Sequence, residues 1–599
     1  MNRRLLYVLL PLICLALLAG CQERSVNVDH HANATDDDQA DDDAGSTPWD
    51  NEPARPLVTI QQPTPGEFFA DATAPVSGEV TGVPVTQVFV NDQPVAVQDG
   101  HFQTTVSFAA DQQVLPIYVL AKTDDGRFGG DRVVAMRGEM RAPEKNIDDA
   151  LRVGLGDDVF TVIGAAVAQL FQNLDLGPIF ASLNPIIDFL GITVDITAAT
   201  IGGAQFSGEF TDQGLHIFGE LTDVTLTADV TAFGNTSTTT ITIGTLSLDM
   251  LADVLFKDGS VAVTVSSINA AHSDVTYDGP LPALLGKAGT DLLLGAIEGV
   301  VELLGRDLLP NLLSQWILTA VLDTVQIGFD IHAGLTSLDI GPGAAMAGLA
   351  LNVFLTDPNP EPWPYGSLFT PGAPPDMLFA RPPAAQSFGV ALALSANFLN
   401  RFLFSAAEAE LLNFAVGDPA LVNDALPLPL TAGVLAGLMP AFGDIDPDIP
   451  ATMNLHLAVP PVALAGADGS LTLDVPDYRV EFDLYPPGKD PWRAMTMSVA
   501  LELALDLNVD AHGAIRVSFP RGGATVLILD DPIGESGDVP TTLADWITQF
   551  ITPALDKLFA LLPIQLPSIA GVEFDPLWLG TAGENHDYWT GYVGLKWQP

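Results

Sequence analysis

Cysteine is almost absent from this chain. Only Cys14 and Cys21 occur among its 599 residues, so residues 22–599 have neither an internal disulfide nor a cysteine-based metal site. A chain without these supports must obtain its stability from a large hydrophobic core.

Positive charge is equally scarce. Lysine and arginine number 23 against 74 aspartates and glutamates, which gives a formal net charge of −51. A field of this sign repels phosphate, so we expect no nucleic-acid partner. It also argues against electrostatic docking on anionic lipid headgroups.

The chain is apolar, yet it has no long uninterrupted apolar segment beyond Cys21. Hydrophobic residues make up 48% of the sequence and charged residues 16%. The longest candidate for a membrane span, Leu281–Val321, is interrupted by charges and a proline at Lys287, Asp291, Glu298, Glu302, Arg306, Asp307 and Pro310. The apolar surplus is therefore either buried in large cores or available to an apolar ligand.

Catalytic signatures are missing as well. The chain has no Gly-x-Ser-x-Gly or His-Glu-x-x-His motif, no phosphate-binding loop and no dinucleotide fingerprint. His456, His512 and His586 occur in unrelated contexts. We predict a protein that is not an enzyme and that uses no cofactor or metal. A lipid-active hydrolase is the alternative.

The N-terminus has the pattern of an export signal, predicted over residues 1–20. Two arginines precede the short apolar stretch Leu5–Leu18, and small residues lead directly to Cys21. The sequence Leu-Ala-Gly-Cys resembles the lipobox of bacterial lipoproteins, which implies cleavage before Cys21 and acylation of that residue. Gln22, in place of aspartate, points to the outer membrane by the usual sorting pattern, with the body either periplasmic or on the cell surface. An ordinary signal peptide is the alternative.

Residues 21–56 are predicted to form a disordered acidic tether. Two runs of three aspartates, Asp36–Asp38 and Asp41–Asp43, lie among small and polar residues with almost nothing to bury. Such a segment repels itself and extends. Carboxylates also suit calcium, but the spacing matches no defined calcium loop. A solvated spacer is the main interpretation, and calcium binding is the alternative.

Residues 57–138 read as short strands separated by turns. Val88–Val90 leads through Asn91 and Asp92 into another apolar stretch, a pattern typical of a hairpin. About seven strands in ~80 residues predict a small immunoglobulin-like β-sandwich. Its predicted role is that of a spacer or adaptor, with adhesion as the alternative.

From residue 145 the chain contains two similar halves, predicted as domains 145–356 and 387–599. The first opens with an apolar helix over Asp158–Leu174, continues as alternating strands, and adds a long helix over Leu281–Leu322 with a break near Pro310. The segment 357–386 carries nine prolines and is predicted to be an extended linker.

The second half repeats this order. Ser395 is predicted to cap a helix that extends as far as Leu411, and apolar residues occupy every odd position of Met495–Val509, which predicts a very long strand. A closing helix is predicted over Thr541–Leu562. The expected fold class is α+β, with long twisted β-barrels that each wrap long helices.

This pattern resembles the family of bactericidal/permeability-increasing protein, lipopolysaccharide-binding protein and cholesteryl ester transfer protein. The resemblance is carried by the proline-rich Pro371–Phe379, the Ser-Ala-Asn-Phe-Leu-Asn helix start within Val390–Asn400, the strand Leu457–Val462 and the end region Leu561–Pro567. It implies two barrels joined by a central sheet in a boomerang, each with a pocket for phospholipid acyl chains. The family's first-barrel disulfide and its cationic tip have no counterpart here, so we carry over acyl-chain binding and not lipopolysaccharide killing.

The predicted function is a membrane-anchored protein that binds or transfers phospholipid or another acyl lipid. The alternative is a surface adhesion or scaffolding lipoprotein whose barrels are structural. Each candidate pocket residue lies on an apolar helix face, where plain core packing is the competing interpretation. These candidates are Phe160, Ile163, Val167, Phe171, Leu293, Ile297, Val300, Leu304, Phe398, Phe402, Trp546, Phe550, Ile551 and Phe559.

Overall fold

The fold of the chain is given by a computed structural model. It describes residues 49, 54–173, 180, 183–189, 191–257, 260–322, 329–355, 363–376, 388–417, 426–427, 430–466, 468–509, 515–531, 533, 541–560 and 572–597. The predicted signal, Cys21 and both aspartate runs lie outside the described residues. The predictions made for them therefore stay predictions.

Residues Leu57 to Arg137 form two β-sheets packed face to face. Their strands are β1 (Leu57–Gln62), β2 (Glu67–Phe69), β3 (Thr73–Thr81), β4 (Gln87–Val90), β5 (Gln93–Val95), β6 (Val97–Gln98), β7 (His101–Ser107), β8 (Val114–Lys122) and β9 (Phe128–Arg137). One sheet has the order β1-β3-β7-β6 and the other β2-β9-β8-β4-β5, with one apolar core between them. The hairpin predicted at Asn91 and Asp92 is confirmed, since both residues have positive φ. We call this unit the sandwich.

The first half continues from the sandwich through two strands, β10 (Glu139–Arg141) and β11 (Ile147–Gly156). It then forms a curled sheet of six strands in the order β12-β13-β15-β16-β17, with β14 paired to β15. The strands are β12 (Ile187–Phe189), β13 (Ile192–Thr200), β14 (Gly203–Thr211), β15 (Gly214–Ala232), β16 (Asn235–Lys257) and β17 (Ser260–Asp278), followed by β18 (Phe329–Gly341) and β19 (Ala344–Leu355).

The second half forms a curled sheet in the order β23-β22-β24-β26-β27-β28, with β25 paired to β26. Its strands, with the flanking ones, are β20 (Ser367–Phe369), β21 (Val390–Ser395), β22 (Phe414–Gly417), β23 (Leu426–Pro427), β24 (Ala451–Leu457), β25 (Val462–Ala465), β26 (Leu471–Leu484), β27 (Trp492–Val509), β28 (Ile515–Asp530), β29 (Val572–Ala582) and β30 (Tyr588–Trp597). Both curled sheets are open paths within the described residues, so the predicted barrels are half-barrels.

Five α-helices are described. They are α1 (Asp158–Asn173), α2 (Leu281–Leu322), α3 (Ala396–Glu408), α4 (Ala432–Leu438) and α5 (Thr541–Phe559), with a short 3₁₀ turn at Pro440–Phe442. In the first half, α1 packs on β14 and α2 on β17. In the second, α3 packs on β25 and α5 on β28.

A six-stranded central sheet joins the two halves, in the order β18-β19-β11-β21-β30-β29. Three strands come from each half, and the halves meet where β11 pairs with β21. Each inner strand leads into a helix, and each outer pair follows the closing helix of its own half. The central sheet implied by the resemblance is therefore present.

Local sequence accounts for most of these elements. In β27 the odd positions from Met495 to Leu507 are all buried, as the period of two requires. The Ser395 side chain accepts a hydrogen bond from the Asn397 backbone N–H at 3.1 Å, so the predicted cap of α3 is confirmed.

Two predicted helix details are wrong. The interruption of α2 lies at Gly286, which has φ 62° and ψ −178°, and the chain stays helical through Pro310. Glycine alone tolerates that backbone region. Leu411 lies beyond α3 and is exposed, because the helix ends at Glu408, before reaching it.

Candidate functional site

The first-half candidates meet in one apolar cluster between the helices and the curled sheet. Leu293, Ile297 and Val300 are buried and share one face of α2. Phe160 of α1 joins the same cluster, with its ring centroid 5.0 Å from that of Phe210. The sheet contributes inward-facing residues of β13, β15 and β16, among them Val194, Ile196, Leu226, Ala228, Ile241 and Ile243.

The second-half candidates meet in a corresponding cluster. Phe398 and Phe402 of α3 are buried there together with Ile551 and Phe559 of α5. The ring centroids of Phe402 and Phe559 are 6.2 Å apart, and Phe519 of β28 lies 5.6 Å from Phe559 by the same measure. The opening and closing helices of this half therefore meet on one face of the curled sheet.

The remaining candidates are less well placed. Val167 is half-buried and packs against the first-half cluster. For five candidates the structure describes only the backbone, so their predicted roles stay predictions; they are Ile163, Phe171, Leu304, Trp546 and Phe550.

The glycines of α2 do not serve close helix-to-sheet contact where the structure describes their surroundings. A Cβ added at Gly295 or Gly299 would meet no atom within 4 Å. A Cβ at Gly289 would meet only Leu285 of the same helix. Gly295 and Gly299 therefore leave open space beside the helix, and none of the three glycines allows a tight approach to the sheet.

Sequence reasoning missed a buried arginine on α3. Arg401 is fully buried and donates hydrogen bonds to the carbonyls of Arg141, Ala142 and Pro143 at 2.9, 2.8 and 2.5 Å, and to Ser367 Oγ at 3.2 Å. Burial lowers the pKa of its guanidinium to about 10. The only signal in the sequence is one basic residue within an apolar helix.

The sandwich is docked against the second half through arginines. Arg55, two residues before β1, pairs with Asp530, with Nη2 at 2.8 Å from Oδ2. Arg132 donates to the Pro476 carbonyl at 2.8 Å, and Arg479 lies 3.4 Å from Asp131. An apolar cluster completes the contact with Val114, Val134, Met136, Leu368, Val459 and Val462. Among the described residues the sandwich is thus fixed to the body by specific contacts.

An acidic cleft of about 570 Å³ lies between the sandwich and the second half. Its lining includes four carboxylates, Asp111, Asp474, Glu502 and Glu584, together with His586. Asp474 lies directly across from Glu502 in the register of β26 and β27. Burial, with the Glu502 charge beside it, raises the pKa of Asp474 to about 7, although the nearby Arg132 opposes this shift.

Membrane-spanning and metal-binding features were sought in the described residues. None of their helices is both long enough and apolar enough to cross a bilayer. None of their histidine, cysteine, aspartate and glutamate side chains gather in groups of three or more suited to a metal ion.

Comparisons with known proteins give little. No protein-family model matches the chain, and no curated protein matches it. Among solved structures, the chain is similar to the crystal structure of a lipopolysaccharide binding protein, with 14% identity and a TM-score of 0.42 over 76% of this chain and 100% of the other. At that level of similarity we draw no functional conclusion from it, and the family named from the sequence stays a prediction.

Proposed function

We propose that this protein binds lipid, holding the acyl chains of phospholipid or another acyl lipid against the helix-covered faces of its two half-barrels. The observation that carries the proposal is the pair of apolar clusters described above. In each half, two helices turn apolar faces toward one face of a curled sheet, and the predicted residues of the two helices meet there.

The energetics of this arrangement favour an acyl ligand. Each buried methylene contributes ~0.8 kcal/mol, so a sixteen-carbon tail gains ~10 kcal/mol or more before the costs of binding. No charged anchor for the headgroup is required, which agrees with a net charge of −51. Headgroup selectivity is accordingly low in this proposal.

The N-terminal part of the proposal concerns location. Cys21 carries the lipid anchor, the acidic tether spans the distance to the sandwich, and the body stays at the outer membrane. The lipobox-like sequence and Gln22 support this assignment. Loss of radiolabelled palmitate incorporation in Cys21→Ser, with unlabelled protein released from membranes, is the expected result.

The decisive experiment measures bound lipid directly. The full chain is purified in mild detergent, and native mass spectrometry is expected to show co-purifying lipid at up to two acyl-lipid molecules per chain. Ile297→Phe and Ile551→Phe each add volume to one cluster, at a residue that is about 1% exposed. Each is expected to remove the lipid of its own half and leave the other.

Val434→Phe is the matched control. Val434 belongs to α4 and is exposed, so the same added volume there should leave the lipid count unchanged. Circular dichroism verifies that all three variants are folded. A protein that carries no lipid and takes up no fluorescent acyl chain after delipidation contradicts the proposal and favours the structural, adhesive alternative.

A further inference from the structure

One exposed aromatic residue is unexplained by the clusters above. Phe233 is 81% exposed, the highest value among the exposed large hydrophobic residues of the described chain. It lies at the tip of the β15–β16 hairpin, in a two-residue turn closed by the pairing of Ala232 with Asn235. The two strands of this hairpin have 19 and 23 residues.

The backbone of this turn does not favour phenylalanine. Phe233 has φ 51° and the following Gly234 has φ 86°, so both central residues are in the left-handed region that such a turn requires. Asparagine or aspartate normally precedes the glycine there. A bulky residue at positive φ is strained, and solvent exposure gives no packing in return. The turn is thus less stable with phenylalanine than with asparagine.

The charge distribution around the tip is also distinctive. From Val230 to Leu248 the chain has no charged residue, although its net charge is −51. The opposite end of the same sheet carries Glu209 and Asp212. The hairpin tip is therefore neutral with a protruding aromatic ring, and the nearest carboxylates of this sheet, Asp188, Asp195 and Asp229, lie behind it along the strands.

We propose that the β15–β16 tip inserts Phe233 into the apolar layer of a lipid surface. The neutral tip approaches lipid without dehydrating a charge. Val230 and Ala232, just behind the ring, are buried in the first-half cluster, so insertion brings that cluster next to the bilayer. This inference rests on the proposed lipid binding, because insertion would serve to bring lipid to the first-half cluster. Insertion itself is measured independently of lipid binding.

The expected contribution is modest. Full burial of one phenylalanine corresponds to a roughly 10- to 100-fold gain in partitioning. An anchored chain faces a high effective concentration of membrane, so a gain of this size suffices for transient docking.

The scarcity of cysteine allows a site-specific test. In a full chain carrying Cys14→Ser and Cys21→Ser, Phe233→Cys provides a single thiol for an environment-sensitive fluorophore. Asp212→Cys is the matched control, about 60 Å away along the 19 residues of β15. With phosphatidylcholine vesicles, the label at 233 should shift to the blue and be quenched by spin-labelled lipid, and the label at 212 should do neither.

A second variant excludes misfolding as an explanation. Phe233→Asn suits the turn and should keep or raise stability, while reducing vesicle partitioning 10- to 100-fold. Phe218→Ser, toward the end of β15 that lies away from the tip, should leave partitioning unchanged. A label at 233 that stays in water when vesicles are present overturns the inference. So does one that becomes shielded without vesicles as protein concentration rises, because that indicates a second copy as the partner.

The outcomes for the two proposals are separable. Uptake of monomeric fatty acid by Phe233→Asn should match that of the unmodified protein, whereas uptake from vesicles should slow. Insertion without any bound lipid contradicts the proposed function and supports the inference about the tip. Bound lipid together with a tip that does not insert contradicts only the inference about the tip.

Discussion

The two halves share one order of elements but differ in how their opening helices are packed. In both, an inner strand of the central sheet leads into a helix, then into a curled sheet, a long helix and two outer strands. Twelve of the thirteen residues of α3 are buried. In α1, burial among the described side chains is confined to Val159, Phe160, Val162 and Gly164.

The difference follows from what covers each helix. β20, from the proline-rich segment, and β25 both lie against α3, whereas α1 packs mainly on β14. Among the described residues, large apolar side chains are also exposed more often in the first half. They are Met140, Leu183, Phe218, Phe233, Leu284 and Leu292, against Leu411 and Val434 in the second. If the protein binds lipid as proposed, the less covered first half is where we expect lipid to exchange faster.

The largest expected effect tests how the segment around β10 and β20 is held against α3. Arg401→Met removes the donors for the carbonyls of Arg141, Ala142 and Pro143, and buried acceptors without partners are costly. We expect a loss of about 3–5 kcal/mol in the free energy of unfolding, measured by urea titration. The stability of Arg401→Lys should fall between that of Arg401→Met and that of the parent protein, because lysine keeps the positive charge but lacks the planar guanidinium group.

The α1 helix offers the contrast, since it contains no basic residue. If Arg401→Met unfolds at the same urea concentration as the parent, the guanidinium does not secure the cover, and the difference between the halves needs another cause.

The next effect concerns the docked sandwich. Because the pKa of Asp474 is raised to about 7, the folded protein favours the protonated carboxyl. Stability should fall as pH rises from about 4, near the pKa of an unperturbed aspartate, through 7, and then level off. Asp474→Asn should weaken this dependence, so that its urea midpoint declines less between pH 5 and pH 8.

The first half supplies a matched control. Asp195 lies directly across from Asp229 in the register of β13 and β15, just as Asp474 lies across from Glu502. Asp195→Asn should leave the pH dependence nearly unchanged, because the sandwich strands pack on β26 and β28 of the other half. Equal effects of the two substitutions would show that the sandwich contributes nothing to the pH response.

Local periodicity predicted much of this fold. The alternation in β15, β17 and β27, the Ser395 cap and the starts of α1 and α5 follow from residues close in sequence. Phe402 and Phe559, by contrast, are far apart in the sequence. Their contact could be predicted only by combining the apolar faces of their two helices with a curled sheet on which both helices pack.

Contacts between distant segments could not be predicted in this way. The pairing of β10 with β20 joins residues on either side of the first half, and the bonds of Arg401 cross a similar separation. A proline-rich segment gives no local indication of such a partner. The open edges of the curled sheets depend on strand register, which the hydrophobic pattern does not specify between distant strands.

The smallest expected effects concern α2, the helix that most distinguishes the first half. Gly286→Ala places a Cβ in a backbone region open to glycine alone, since φ is 62° and ψ is −178°, and should cost about 1–3 kcal/mol. Gly299→Ala has helical surroundings and no atom within 4 Å of the new Cβ, so it should stabilise by ~1 kcal/mol. Thermal unfolding measures both.

Gly286→Ala and Gly299→Ala are expected to change stability in opposite directions, and this makes the two variants informative about lipid exchange. If the kink at Gly286 permits α2 to move away from β17, the stiffer Gly299→Ala helix should release bound lipid more slowly at unchanged affinity. The corresponding helix of the second half, α5, has no glycine and serves as the internal reference. Equal release rates from both halves in every variant would mean that α2 stays in place during exchange, and that the first half is no more mobile than the second.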